Sequence, residues 1–465
     1  MPDLRARRGR RWRAARAAGC AAPLLALLVQ LSGCAPAESA TDRYPDVQKM
    51  LDARAGAVRR HDTAAFLATV DPRATAFRAR QRAVLGNLAA VPLADWHYDL
   101  EATGAFPLPA GSGRRLAAQV RLRYRLSGFD TAPVTSVQYL TLTERGGRWL
   151  VSADSDGAAD GRTGTRQLWD QGPVRLVRGR YGLVLGGAAD PARLRDLARR
   201  VDAAVPAVSA VWKGAWARKV VVEAPDTVER MAQLMGGDDP SVYSGIAAVT
   251  TGEAGAAVAA PADRVIVNPD AYEELNDLGR TVVLTHETTH VATRALTTPA
   301  TPLWLSEGFA DWVAYREVRR RPATTAPELS RAVAAGGPPA RLPGDADFGF
   351  RAGAERLAEA YEGGWLACRM IAEKWGEARL IAFYRDTGRR GLRTAAAGPA
   401  TGPMEARTTA PVAPSATGTP APPVGGTVRR AGRSGPLERA MREQLGVGLA
   451  EFTAMWRAYV RRELG

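Results

Sequence analysis

His286 and His290 are half of the four histidines in a chain of 465 residues, and they stand four apart in Thr285-His286-Glu287-Thr288-Thr289-His290. No other feature of the sequence constrains the fold as much. Residues i and i+4 project from one face of a helix, so both imidazoles can reach one tetrahedral cation if this segment is helical. Leu275, Leu278, Val282, His286 and His290 step by 3, 4, 4 and 4, so the two rings extend an apolar stripe. Glu287 is rotated off that line. Its place is beside a water on the cation, not on the cation itself.

A tetrahedral site needs a third protein ligand. The string Pro302-Leu-Trp-Leu-Ser-Glu307-Gly-Phe-Ala-Asp311-Trp-Val-Ala-Tyr315 follows His290 closely, and it places two acids one helical turn apart among aromatic residues. A solvated helix face would not favour that pairing, because like charges at i and i+4 repel. Together the two segments resemble the gluzincin metallopeptidases, the thermolysin and aminopeptidase N-like group. The resemblance implies Zn²⁺ as cofactor, with Glu307 as third ligand and Asp311 as the carboxylate that orients a ligating imidazole. It also implies a peptide or protein substrate. Sixteen residues separate His290 from Glu307, fewer than the family uses, which implies a tighter connection between the two helices.

Ala360-Tyr361-Glu362-Gly363-Gly364-Trp365 comes next. It resembles the Tyr-Glu-x-Gly string that opens a helix in aminopeptidase N-like enzymes, whose tyrosine donates to the oxyanion. Tyr361 holds that position, and a core tyrosine packed on Trp365 is the other reading. The Gly-x-Met-Glu-Asn strand that grips a free amine in aminopeptidases is missing. Gly245 to Asn268 holds Gly-, Ala- and Val-rich sequence instead, so the sequence does not support exopeptidase activity. Trp304, Trp312 and Trp365 read as core and pocket wall, Cys368 as a small buried hydrophobe, and His61 and His97 as surface residues with local hydrogen bonds.

The amino terminus reads as an address. Arg5 to Arg16 form a positive region, Ala17 to Leu31 an apolar run of about fifteen residues, short of the ~20 that span a bilayer. Leu31-Ser32-Gly33-Cys34 resembles the lipobox of bacterial lipoproteins. That resemblance implies lipidation at Cys34, removal of residues 1–33, and a membrane-anchored protein on the extracytoplasmic face. Sec and twin-arginine export both stay open. Cys20 would leave with the signal, so Cys368 would be the one free thiol and no disulfide could form within the mature chain.

The net charge of +15 misleads. Residues 1–33 carry seven Arg and one Asp, and residues 389–433 seven Arg and one Glu, so these stretches hold twelve of the fifteen excess charges. Basicity in two tails is not a folded nucleic-acid face, and no nucleic-acid partner is expected. A content of 46% hydrophobic and 24% charged residues excludes a disordered or collagen-like chain.

The expected fold class is α+β in two parts. After a tether at 34–43, residues 44–158 read as helices followed by a curved antiparallel sheet. Val47, Met50, Leu51, Ala55 and Val58 have helical spacing, and His61-Asp62-Thr63 looks like a break and cap. Val120, Leu122, Tyr124 and Leu126 alternate with arginines as a half-buried strand does, and Gly146-Gly147 joins a hairpin. This order resembles the cone-shaped nuclear transport factor-like (SnoaL-like) fold, which implies a structural role or a protein partner. Residues 174–465 read as the metallopeptidase domain, a mixed sheet plus a mainly helical half. Its expected elements are strands at Leu176–Val177, Gly182–Leu185, Val220–Glu223 and Val265–Val267, and a helix from Pro191 to Val211. An amphipathic pattern fills Leu437–Leu464, after a disordered Pro-, Ala-, Thr- and Gly-rich insertion at 388–436. The expectation is therefore a lipid-anchored zinc metallopeptidase. The alternative is an inactive, zinc-stabilised binding or scaffold lipoprotein.

Overall fold

The structure, a computed structural model, describes residues 39–187, 190–237, 239–243, 245–251, 262–349, 353–396 and 434–465. Residues 1–38, Cys34 among them, and residues 397–433 lie outside them. The chain is mixed α+β with two sheets.

Pro45–Arg59 forms the first long helix, with Pro at its first turn and Val47, Leu51, Ala55 and Val58 buried. Asp62 caps the next helix, Thr63–Leu67, accepting from the Ala65 N–H at 2.9 Å. The tether expected at 34–43 ends in a helical turn, Ala40–Arg43, capped by Ser39. The first sheet is an antiparallel meander of β1 (Leu93–Thr103), β2 (Arg115–Leu126), β3 (Val134–Arg145) and β4 (Arg148–Ala153). Along β2, Val120, Leu122, Tyr124 and Leu126 are buried while the arginines between them face outward. The β3–β4 hairpin turns through Gly146 and Gly147, both at positive φ (55° and 74°), as a two-residue turn of the right twist demands. Register shifts in β1 and β4 pairing add local twist. The Pro45–Arg59 helix is tied to β1 by Gln48, which donates to Tyr98 O (2.8 Å) and accepts from Leu100 N (2.9 Å).

The second sheet has the order β5-β6-β7-β9-β8, with β5 Arg175–Arg178, β6 Gly182–Gly186, β7 Val220–Ala224, β8 Ala248–Thr250 and β9 Arg264–Val267. Its centre, β6, β7 and β9, is parallel, and both edges are antiparallel. Strands β6, β7 and β9 are buried throughout, as parallel strands covered on both faces must be. Helix Pro191–Val211 covers one face, capped by Asp190 with Pro at its first position, and buries Leu194, Leu197, Val201, Val205 and Val208. The two sheets share one apolar core in which Tyr124 and Trp169 join Leu183, Leu185, Val221 and Ile266. A buried ion pair lies between them: both Asp130 oxygens accept from Arg264 at 2.8 Å, with Glu223 3.7 Å away.

The remainder is helical. Its core stacks Trp304 against Phe383 and Phe452, and Trp212 edge-on to Phe309 and Tyr384. One expectation is corrected here. The insertion placed at 388–436 is smaller, because helix Glu377–Ala396 runs through Gly388 and helix Ser434–Leu445 starts before its end. A Cβ on Gly388 would fall 1.9 Å from Leu296 O, so this glycine permits close packing and does not break the helix. The Leu437–Leu464 pattern is two helices, since Gly446 (φ 74°) separates Ser434–Leu445 from Leu449–Leu464. Among the described residues, no helix is long and apolar enough to cross a membrane.

Candidate metal centre

His286, Glu287 and His290 lie on helix Asp277–Thr293, whose start is capped by Asn276 accepting from Gly279 N at 2.9 Å. The helix packs between Pro191–Val211, Leu303–Tyr315 and edge strand β8. Three of its buried threonines, Thr285, Thr289 and Thr293, each return their hydroxyl to the carbonyl four residues back, a pattern open to Ser and Thr in helices, while the hydroxyl of the buried Thr288 has no partner among the described residues. Arg294, at the end of the helix, reaches Asp263 (3.1 Å) and Thr251 O (2.9 Å), fixing it to the ends of β8 and β9.

Glu307 and Asp311 sit one turn apart on helix Leu303–Tyr315. His286 Nε2 and His290 Nε2 are 2.9 Å apart, and Glu307 Oε2 lies 3.2 Å from His290 Nε2 and 3.3 Å from His286 Nε2. Four ligands at 2.0–2.1 Å around a tetrahedral ion would stand roughly 3.3 Å from one another. The triangle has that size, and the three residues could hold a metal ion. Asp311 Oδ1 meets His286 Nδ1 at 2.8 Å, so the bond that accepts Nδ1–H leaves the Nε2 lone pair directed into the triangle. Ser306 donates to the other Glu307 oxygen at 3.1 Å.

Electrostatics point the same way. Burial alone would lower the pKa of His286, but the Asp311 charge and hydrogen bond, with Glu307, hold it well above its ordinary value. Burial alone would raise that of Glu307, yet His290 and His286 hold its carboxyl well below the usual range. Acceptors converge here, so the pocket favours positive charge, whether from a proton or a metal.

Glu287 is buried, and its Oε2 accepts a 2.6 Å hydrogen bond from Thr250 of β8. Tyr361 is half-buried. Its ring centroid lies 6.2 Å from that of His286 and 5.3 Å, edge-on, from that of Phe348. It does not open its helix, as the Tyr-Glu-x-Gly resemblance implied: helix Ala354–Trp375 begins seven residues earlier. What places it is the crossing of this helix with Leu303–Tyr315. A Cβ on Gly308 would lie 2.1 Å from Gly364 O, and one on Gly364 2.8 Å from Trp304 O. Only glycines at both positions allow that approach.

The other sequence readings find their places. Trp304, Trp312 and Trp365 are buried, and Cys368 is fully buried, its thiol pushed up by burial. His97 bonds Asp95 at 2.7 Å at the surface, and His61 is exposed at φ 52°. Cys34 lies outside the described residues. Sequence reasoning missed Thr250, which is 37 positions from Glu287 and carries no motif. It also missed the packing role of Gly308 and Gly364, although both glycines stand inside the strings that drew attention. No protein-family model matches the chain, and no curated protein matches it.

Proposed function

We propose that this protein is a zinc metallopeptidase of gluzincin type, carried on the outer face of a bacterial membrane by a lipid on Cys34. The observation that carries the catalytic reading is the convergence of His286, His290 and Glu307 on one point, with Glu287 buried beside them but outside the triangle. A purely structural zinc site needs neither Glu287 nor Tyr361 next to it.

His286, His290 and Glu307 would hold the ion, and Asp311 would keep His286 in its ligating tautomer. When bound, zinc supplies Lewis-acid polarisation of a carbonyl oxygen and lowers the pKa of water to near 7. Glu287 then takes the proton of the attacking water and returns it to the leaving amine. The Thr250 hydroxyl fixes one of its oxygens. Tyr361 donates its hydroxyl to the oxygen on which negative charge grows. The anchor rests on the Leu31-Ser32-Gly33-Cys34 string alone. With it come the extracytoplasmic location and a peptide or protein substrate there. The SnoaL-like reading of 44–158 would add a protein partner.

Glu287→Gln is the test. It keeps shape and removes the base, so kcat on any peptide that the wild type cuts should fall by roughly 10²–10⁴, with zinc content unchanged. Wild type and variant equally inert across a broad peptide library would favour the binding-lipoprotein alternative.

A further inference from the structure

A second buried site lies far from the triangle in sequence. Between the helices Pro45–Arg59, Thr63–Leu67 and Thr75–Asn87 and the meander is a cavity of about 320 Å³, at the lower end of the range for small-molecule sites, about 300–1,000 Å³. Its aromatic walls include Phe66, Phe77, Trp96, Tyr98 and Trp169. Arg54 also lines it, 5% exposed.

Arg54 is held by neutral groups. Its guanidinium donates to Thr69 Oγ1 (3.1 Å) and to Gln81 Oε1, and lies 3.9 Å over the Phe66 ring. Among the described residues, no carboxylate lies within ion-pair distance of it. Arg264 shows what this chain does with a buried arginine whose charge it answers itself: two 2.8 Å bonds to Asp130, although its Nε is left without an acceptor among the described residues. Burial pushes the Arg54 pKa down, against the partial support of Tyr98, Asp154 and Asp170. The indole N–H of Trp96, a second wall, is buried without an acceptor. A buried cation without a counter-charge, and a buried donor without an acceptor, are both costly.

The acids of the lining do not fill the gap. Asp154 pairs with Arg80 at 2.5 Å, and Asp170 accepts from Gln167 N at 2.8 Å. With Arg166, the lining has three guanidiniums against two carboxylates. We infer that this cavity binds a small, flat organic anion, an aromatic carboxylate whose charge meets Arg54 and whose ring lies among Trp96, Tyr98 and Trp169. This makes the amino-terminal part a ligand-binding module, and the inference stands or falls independently of the metal centre.

Calorimetry on the full chain tests it with 2-naphthoate and its neutral counterpart 2-naphthamide. The expected result is one site per chain, with the acid bound at least about tenfold more tightly than the amide. Arg54→Met keeps the stem and removes the charge, and should reduce that preference to within about threefold while leaving zinc content unchanged. Trp96→Phe keeps a smaller aromatic wall and removes the indole N–H, and should weaken 2-naphthoate about three- to tenfold even if Arg54→Met does not fold. Equal affinities of wild type for acid and amide would overturn the assignment. So would no binding of 2-naphthoate, or an unchanged preference in both variants.

Discussion

The candidate metal centre and the cavity are built on opposite electrostatic plans. Around His286, His290 and Glu307, acceptors converge from two adjacent helices, and the site calls for a cation. Around Arg54 and Trp96, a helix and a strand each contribute a buried donor group, and the proposed ligand is an anion. Both bury charged groups, which costs free energy unless they are paired or hydrogen-bonded. Arg264 is the reference case, because Asp130 and Glu223 answer its charge within the chain. The difference teaches that a buried charge is a sign of function when its complement is missing, and a sign of architecture when it is present.

The sharpest way to break this comparison is to turn the reference case into an open one. Asp130→Ala takes both hydrogen bonds from the buried Arg264 and leaves only Glu223, 3.7 Å away, and should destabilise the fold by about 3–5 kcal/mol, measured by chemical denaturation. Arg54→Met removes a charge that no carboxylate meets, so its loss should be far smaller. Equal losses would mean that Arg54 too is architectural. A smaller effect sharpens the other side. Asp311→Asn keeps the three ligands but weakens the hold on His286, and should reduce zinc affinity by roughly 10–100-fold while 2-naphthoate binding stays unchanged. Zinc affinity within about twofold of wild type would remove Asp311 from the metal centre.

The two sites were unequally legible in the sequence. The metal centre was readable because its determinants are local: two histidines on one helical repeat, and two acids one turn apart on the next helix. Helix Pro191–Val211 was readable for the same kind of reason, an Asp cap and a first-turn proline. The cavity was not, because Arg54, Gln81, Trp96 and Trp169 meet only when the sheet curls over its helices. The Arg264–Asp130 pair spans 134 positions and has no local signal. Strand β1 escaped notice because Asp95, Asp99 and Glu101 dilute its hydrophobic pattern, yet two of these acids pair with the arginines of β2: Asp99 with Arg123 at 2.7 Å and Glu101 with Arg121. Gly388 misled for a related reason, since glycine marks a break in sequence but served here for close packing.

The central claim is that His286, His290 and Glu307 form one metal site. Zinc should be titrated into full chain stripped by chelator, in wild type and in Glu307→Ala, with metal content read by mass spectrometry and fold by circular dichroism. The account predicts about one zinc per wild-type chain and loss of stoichiometric binding in a folded Glu307→Ala protein. Full zinc occupancy in Glu307→Ala, or none in the wild type, would contradict it.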